Sequence, residues 1–158
     1  MSAELDITLK VNGEERALRV LPSRTLLDAL RSELALTGSK NACNQGVCGA
    51  CTVLIDGLPV NACLVLAVNV TGRDIVSIEG LGEGGELSAM QQAFVDAGAI
   101  QCGFCMSGMI VSATALLAQN PQPSRDEIRG ALSGNLCRCS GYVRVIDAVR
   151  LAAQRLSV

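Results

Sequence analysis

The chain of 158 residues contains no histidine and no tryptophan, and its aromatics are limited to Phe94, Phe104 and Tyr142. Without histidine, the side chain best suited to exchange protons near neutral pH is missing, and so is the usual nitrogen ligand of zinc. Ser107, Ser112 and Ser133 therefore lack an imidazole base and read as core, helix or loop residues, not nucleophiles. So few aromatics leave little surface on which bases or sugars could stack. Charge is sparse as well. Thirteen basic residues stand against 15 acidic ones, a net of −2, which argues against nucleic acid as a partner and against a polybasic membrane anchor.

The N-terminus carries Glu4 and Asp6 and no apolar stretch of the signal-peptide kind, so a soluble, cytoplasmic protein is expected. No charged residue falls between Asp96 and Arg125. The helical part of that segment, about 103–119, is nevertheless shorter than the ~20 apolar residues that cross a bilayer. A helix buried on most sides, within its own domain or against a partner, is the expectation. The uncharged 97–124 and 57–72 stretches are the expected partner-covered faces.

What the chain does have is apolar residues, 49% of the total, and eight cysteines. Its first 80 residues read mostly as strands. Leu5, Ile7, Leu9 and Val11 alternate with polar neighbours, and Asn12-Gly13 turns the chain toward a strand ending at Val20. Thr25, with Asp28 after it, starts a helix along Leu26, Leu27, Leu30 and Leu34 that Gly38 is expected to stop. A second hairpin runs through Thr52–Ile55 and Leu58–Val60 around Asp56-Gly57, with Pro59 confined to an edge or bulge. Ile75–Ile78 is the last expected strand. Gly80, Gly82, Gly84 and Gly85 read as a linker, with Glu79, Glu83 and Glu86 solvated beside it. Helices are then expected over about 87–97, 103–119, 125–132 and 143–156, the third opened by a Ser124/Glu127 capping box. The expected domains are 1–79 and 80–158, and the expected class is α+β, with the four helices forming a bundle.

Each half owns four cysteines: Cys43, Cys48, Cys51 and Cys63, then Cys102, Cys105, Cys137 and Cys139. Disulfides are not expected in a reducing compartment. The first set, Cys-x4-Cys-x2-Cys plus a remote cysteine, has the plant-type [2Fe–2S] spacing, and its intervening loop offers the small residues Gly46, Gly49 and Ala50. The second set, Cys-x2-Cys and a distant Cys-x-Cys, is compatible by spacing with either a [2Fe–2S] cluster or zinc. Cys102 and Cys105 open a helix in this reading, and Cys137 and Cys139 precede another. Helix N-termini suit an anionic centre.

The run from Ser39 to Val53 resembles the plant-type cluster loop of the molybdenum hydroxylases, the xanthine dehydrogenase and aldehyde oxidoreductase family. Gln101-Cys102-Gly103-Phe104-Cys105 and Gly134–Tyr142 resemble that family's second-cluster signature. The likeness spans about 5–153. One departure is Ala42, where the family usually has glycine. The resemblance implies a plant-ferredoxin-like β-grasp domain followed by a four-helix bundle. It also implies that all eight cysteines hold two [2Fe–2S] clusters. By the same resemblance, Gln101 hydrogen-bonds a molybdopterin cofactor, in a dinucleotide form, and Cys139 is the ligand nearest to it. That cofactor would reside in a large subunit and FAD in a medium one, with a dimer of heterotrimers as a further option. The implied activity is electron transfer from the molybdenum centre through both clusters to FAD, during hydroxylation of an N-heteroaromatic or aldehyde substrate. A freestanding two-cluster ferredoxin and a zinc-binding interaction module are the competing readings. The former would call for a charged docking face, the latter for a colourless protein.

Overall fold

The computed structural model describes residues 3–82 and 84–157. Strands β1 (Leu5–Val11), β2 (Glu14–Val20), β3 (Thr52–Ile55), β4 (Leu58–Asn61) and β5 (Asp74–Val76) form one mixed sheet in the order β2-β1-β5-β3-β4. β1 runs antiparallel to β2 and parallel to β5, while β3 is antiparallel to both β5 and β4. Both hairpins turn where expected. Asn12 and Gly13 take φ of +52° and +83°, and Asp56 and Gly57 take +50° and +80°, the paired positive values that match strand twist. Pro59 lies on β4, an edge strand, where its missing N–H costs no ladder bond.

The first helix is shorter and wider than its leucine spacing suggests. α1 (Leu26–Asp28) is capped by the Thr25 hydroxyl, then opens into a π-turn over Ala29–Glu33, in which the Leu34 amide reaches back to the Ala29 carbonyl. The left-handed residue after it is Ala35, φ +57°, and not Gly38. Gly38 serves a close approach instead. Its amide donates to Glu79 Oε1 at 2.7 Å, and a Cβ there would overlap Ile78 and Glu79. Glu79 is thus a structural acceptor, also taking the Ser77 hydroxyl at 2.6 Å, and not a solvated linker residue.

The last strand stops at Val76, because Ile78–Leu81 turns into a 3-10 segment whose Ile78 carbonyl accepts from Gln91. The glycine stretch is only partly loose. Gly80 has no room for a Cβ against Asn12, nor Gly82 against the Glu86 carbonyl, whereas Gly84 and Gly85 face open space. Glu83 lies outside the described residues.

Four helices follow: α2 (Ala89–Asp96), α3 (Met106–Gln119), α4 (Arg125–Ala131) and α5 (Val143–Leu156). α2 starts two residues later than the apolar spacing implied, because Ser88 and Gln91 form a capping box there. α3 starts three residues late, since Gly103, at φ +80°, leads the chain through a turn before Met106. The Ser124/Glu127 box is present as expected. Phe94, Met109, Ile128, Val145 and Val149 anchor a core among these helices.

The strand half packs Leu9, Leu26, Leu30, Val53 and Ile75 into a second core. β3 joins the two. Val53 and Ile55 face the strand core, while Leu54, between them, packs on Val111 and Ala115 of α3. The uncharged α3 is consequently covered by the protein's own elements, with Ser107 and Ser112 buried in it. Among the described residues, no helix is long and apolar enough to cross a membrane.

Candidate metal centres

The loop between Lys40 and Cys51 is pinned at its base by the Lys40 amide bonded to the Ala50 carbonyl at 2.9 Å. Within it Asn44, Gly46 and Gly49 all take positive φ, which curls the backbone so that its amides point inward. The amides of Gln45 and Cys48 donate to Cys43 Sγ at 3.4 and 3.5 Å. Those donors, with the Val47 amide, hold the Cys43 thiol down at about 6. Cys51, at the head of β3, and Cys63, in a 3-10 turn after β4, are buried. Burial pushes the Cys51 thiol up to about 11. The thiols group two and two: Cys43 with Cys48, and Cys51 with Cys63, Cys48 being close enough to Cys51 for their charges to interact. Ala42 is exposed, so the extra methyl meets solvent and not the loop.

The second set forms the same pattern. The Cys139 thiol donates to Cys102 Sγ at 3.6 Å, and Cys105 shares a hydrogen bond with Cys137. Cys102 and Cys139 are exposed; Cys105, the residue that caps α3, is buried. Burial drives the Cys105 thiol up to about 12. Burial also acts to raise Cys137, but the Ser140 hydroxyl and the amides of Ser140 and Cys139 outweigh it and hold that thiol at about 7. The shared hydrogen bond with Cys102 pushes Cys139 upward. Among the described residues, no three Cys, Asp or Glu side chains are grouped about one point as a single metal ion would need. Each set instead offers two thiol pairs.

Gln101 is exposed beside the outer pair, with its Nε2 donating to the Cys139 carbonyl at 3.4 Å. Ile100 and Phe104 flank it as exposed apolar side chains. The structure thus brings together Gln101, Cys102 and Cys139. It also joins the two cysteine loops directly. The Leu136 amide donates to the Cys48 carbonyl at 2.9 Å, and the buried Asn135 Nδ2 donates to the Gly49 carbonyl at 3.0 Å. α3 comes close to the same point, where a Cβ on Gly108 would overlap the Gly49 carbonyl oxygen. Sequence reasoning assigned no role to Asn135, Ser140 or Tyr142, although all three lie within the second cysteine signature.

Two family models, one over each thiol set, define a protein of two iron–sulfur-binding domains. Residues 9–68 match the family model described as a 2Fe-2S iron–sulfur cluster binding domain, and residues 77–150 match the [2Fe-2S] binding domain model. The nicotinate dehydrogenase small FeS subunit of Eubacterium barkeri is 47% identical over 152 residues, covering 96% of this chain and 97% of that protein. The xanthine dehydrogenase iron–sulfur-binding subunit of Escherichia coli O157:H7 is 43% identical, with 94% of each covered. The crystal structure of quinoline 2-oxidoreductase from Pseudomonas putida 86 contains a chain 49% identical to this one. It superposes with a TM-score of 0.93, covering 99% of this chain and 100% of that one. The chain belongs to the small iron–sulfur subunits of the molybdenum hydroxylases, the xanthine dehydrogenase and aldehyde oxidoreductase family. It is an electron-transfer subunit of an oxidoreductase.

Proposed function

We propose that Cys43, Cys48, Cys51 and Cys63 hold one [2Fe–2S] cluster and that Cys102, Cys105, Cys137 and Cys139 hold the other. The donor set fits. The thiols come as two pairs per site, and amides already aim at Cys43 and Cys137. When bound, each cluster accepts and passes on one electron at a time. The first half is then a plant-ferredoxin-like β-grasp and the second a four-helix bundle, divided near residues 79 and 80.

The observation carrying this reading is a continuous line of contacts. It starts at exposed Gln101 on the Cys139 carbonyl and passes through the second thiol set. From Cys137 it crosses the peptide bond to Leu136, whose amide bonds the Cys48 carbonyl at 2.9 Å. Electrons would enter at the Gln101–Cys139 edge, where the Gln101 side chain, its Nε2 on the Cys139 carbonyl, would also bond a molybdopterin, in its dinucleotide form, held by a large partner subunit. They leave on the Cys43–Cys48 side toward FAD in a medium partner. Exposed Val47 and Leu64 there offer an apolar contact face. The expected setting is cytoplasmic, in a heterotrimer or a dimer of heterotrimers. The substrate class is an N-heteroaromatic or an aldehyde, nicotinate and quinoline being named in two relatives and aldehyde in others of similar identity.

The test is iron, acid-labile sulfide, molybdenum and flavin content of the chain purified with its partners, with low-temperature EPR after reduction. Four irons and four sulfides per copy of this chain, with two distinct S = 1/2 signals, are expected. Zinc in place of iron at either site would overturn the reading.

A further inference from the structure

The second thiol set differs from the first in one respect that spacing does not explain. A side-chain hydroxyl bonds one of its sulfurs, and the loop bearing that hydroxyl is braced by a phenol. Ser140 Oγ donates to Cys137 Sγ at 3.2 Å, and the amides of Ser140 and Cys139 reach the same sulfur at 3.3 and 3.4 Å. At Cys43 the donors are backbone amides.

Tyr142, the chain's single tyrosine, sits just before α5 with left-handed backbone, φ +68°. For a bulky side chain that conformation is costly, and it persists only where surroundings impose it. Here its phenol oxygen accepts the Cys137 amide at 2.9 Å and donates to the Asn135 carbonyl at 3.0 Å. The Tyr142 amide in turn reaches Ser140 Oγ at 3.4 Å. One hydroxyl therefore closes residues 135–142 into a ring, and the ring fixes where Ser140 stands relative to Cys137.

We infer that Tyr142 is a positioning residue that sets the reduction potential of the second cluster, acting through the Ser140 hydroxyl on Cys137 Sγ. Donors to a ligand sulfur stabilise the more negative, reduced cluster and raise its potential. Tyr142→Phe keeps the ring but deletes both phenol bonds, leaving the Cys137 amide and the Asn135 carbonyl free to reorient. Ser140 then loses its fixed place. The inference rests on the second set holding a [2Fe–2S] cluster.

The experiment is a potentiometric titration followed by EPR, on the assembled enzyme carrying Tyr142→Phe, Ser140→Ala, Ser140→Thr or the Tyr142→Phe/Ser140→Ala pair. The second cluster is identified as the signal that a Cys102→Ala variant lacks. Ser140→Ala is expected to lower its reduced-to-oxidised ratio at fixed potential about tenfold, which is about 59 mV for one electron. Ser140→Thr restores it, and Tyr142→Phe shifts it the same way, with the first signal unmoved in every case. In the Ser140→Ala background the phenol should matter less than half as much, because its route is already cut. An unmoved potential in Tyr142→Phe, or full additivity in the double variant, overturns the inference. Should Tyr142→Phe lose the cluster, the serine pair decides. An unmoved potential in Ser140→Ala overturns the inference, and a fall that threonine reverses upholds it. Absence of iron from the second set in the unaltered enzyme would instead remove the cluster reading beneath it.

Discussion

Cys102 is exposed, so its replacement removes a thiol without opening a hole in either core. Cys102→Ala is therefore expected to halve the iron and sulfide content and abolish one EPR signal while the other keeps its line shape. Circular dichroism should show the fold intact. Loss of both signals would mean that the two sets do not form separate centres. At this scale the sequence is most readable where chemistry depends on residue type and spacing, as it does for the eight cysteines. It is least readable where a role depends on backbone shape. Glycine and asparagine visit positive φ routinely, which makes the Asn12-Gly13 turn legible. Tyrosine rarely does, so nothing in the pattern Gly141-Tyr142 announces that a left-handed backbone swings the phenol back onto the Cys137 amide.

Among the elements, the hairpins and α5 follow their patterns, and the departures have local causes. Hydrophobic spacing drew α2 outward to Leu87, yet that leucine stays exposed and the helix begins behind the Ser88 hydroxyl, which takes the Gln91 amide. Ser88→Ala should cost about 1 kcal/mol in chemical denaturation, the usual worth of an N-cap. No loss would mean that the α2–α5 packing alone sets the start of the helix.

The β3–β4 turn is held by a charge. The Asp74 amide, and then the Arg73 guanidinium, hold the Asp56 carboxyl below the ordinary carboxylate range. A depressed folded-state value means the contribution is whole above the unfolded value of about 3.9 and disappears as pH falls through the folded one. Asp56→Asn should therefore lower stability slightly at pH 7, where the contribution is whole, and flatten the decline below about pH 4, so that the two proteins converge in acid. Parallel acid-unfolding curves for the two proteins would show that the turn contributes nothing to acid sensitivity.

For the molecule as a whole, the question is what makes two domains into one electron path. The sequence pointed to the glycine stretch at 80–85 as the divide and to the uncharged 97–124 segment as a face for a partner. Neither pattern could reveal that α3 lies on β3, because a buried helix looks alike whether its own sheet or another subunit covers it. The junction is tightest at the Gly49 carbonyl. That oxygen accepts the Thr52 amide at 3.2 Å, the Thr52 hydroxyl at 2.7 Å and Asn135 Nδ2 at 3.0 Å, with Gly108 of α3 pressed against it.

Two substitutions separate hydrogen bonding from fit at this point. Asn135→Ala deletes the cross-link but leaves the carbonyl satisfied by Thr52, so the loss should be the net value of one hydrogen bond, about 1 kcal/mol. Gly108→Ala sets a methyl against backbone, which no rotamer change relieves, so helix or cluster loop must move. Overpacking of that kind costs about 1–3 kcal/mol. Gly108→Ala should thus be the more destabilising of the two in denaturation followed by visible circular dichroism of the clusters. It should also slow electron transfer between them, since it displaces the loop carrying the Leu136–Cys48 bond. The reverse order would make the Asn135 bond, and not the close approach of α3, the feature that holds the two centres in register.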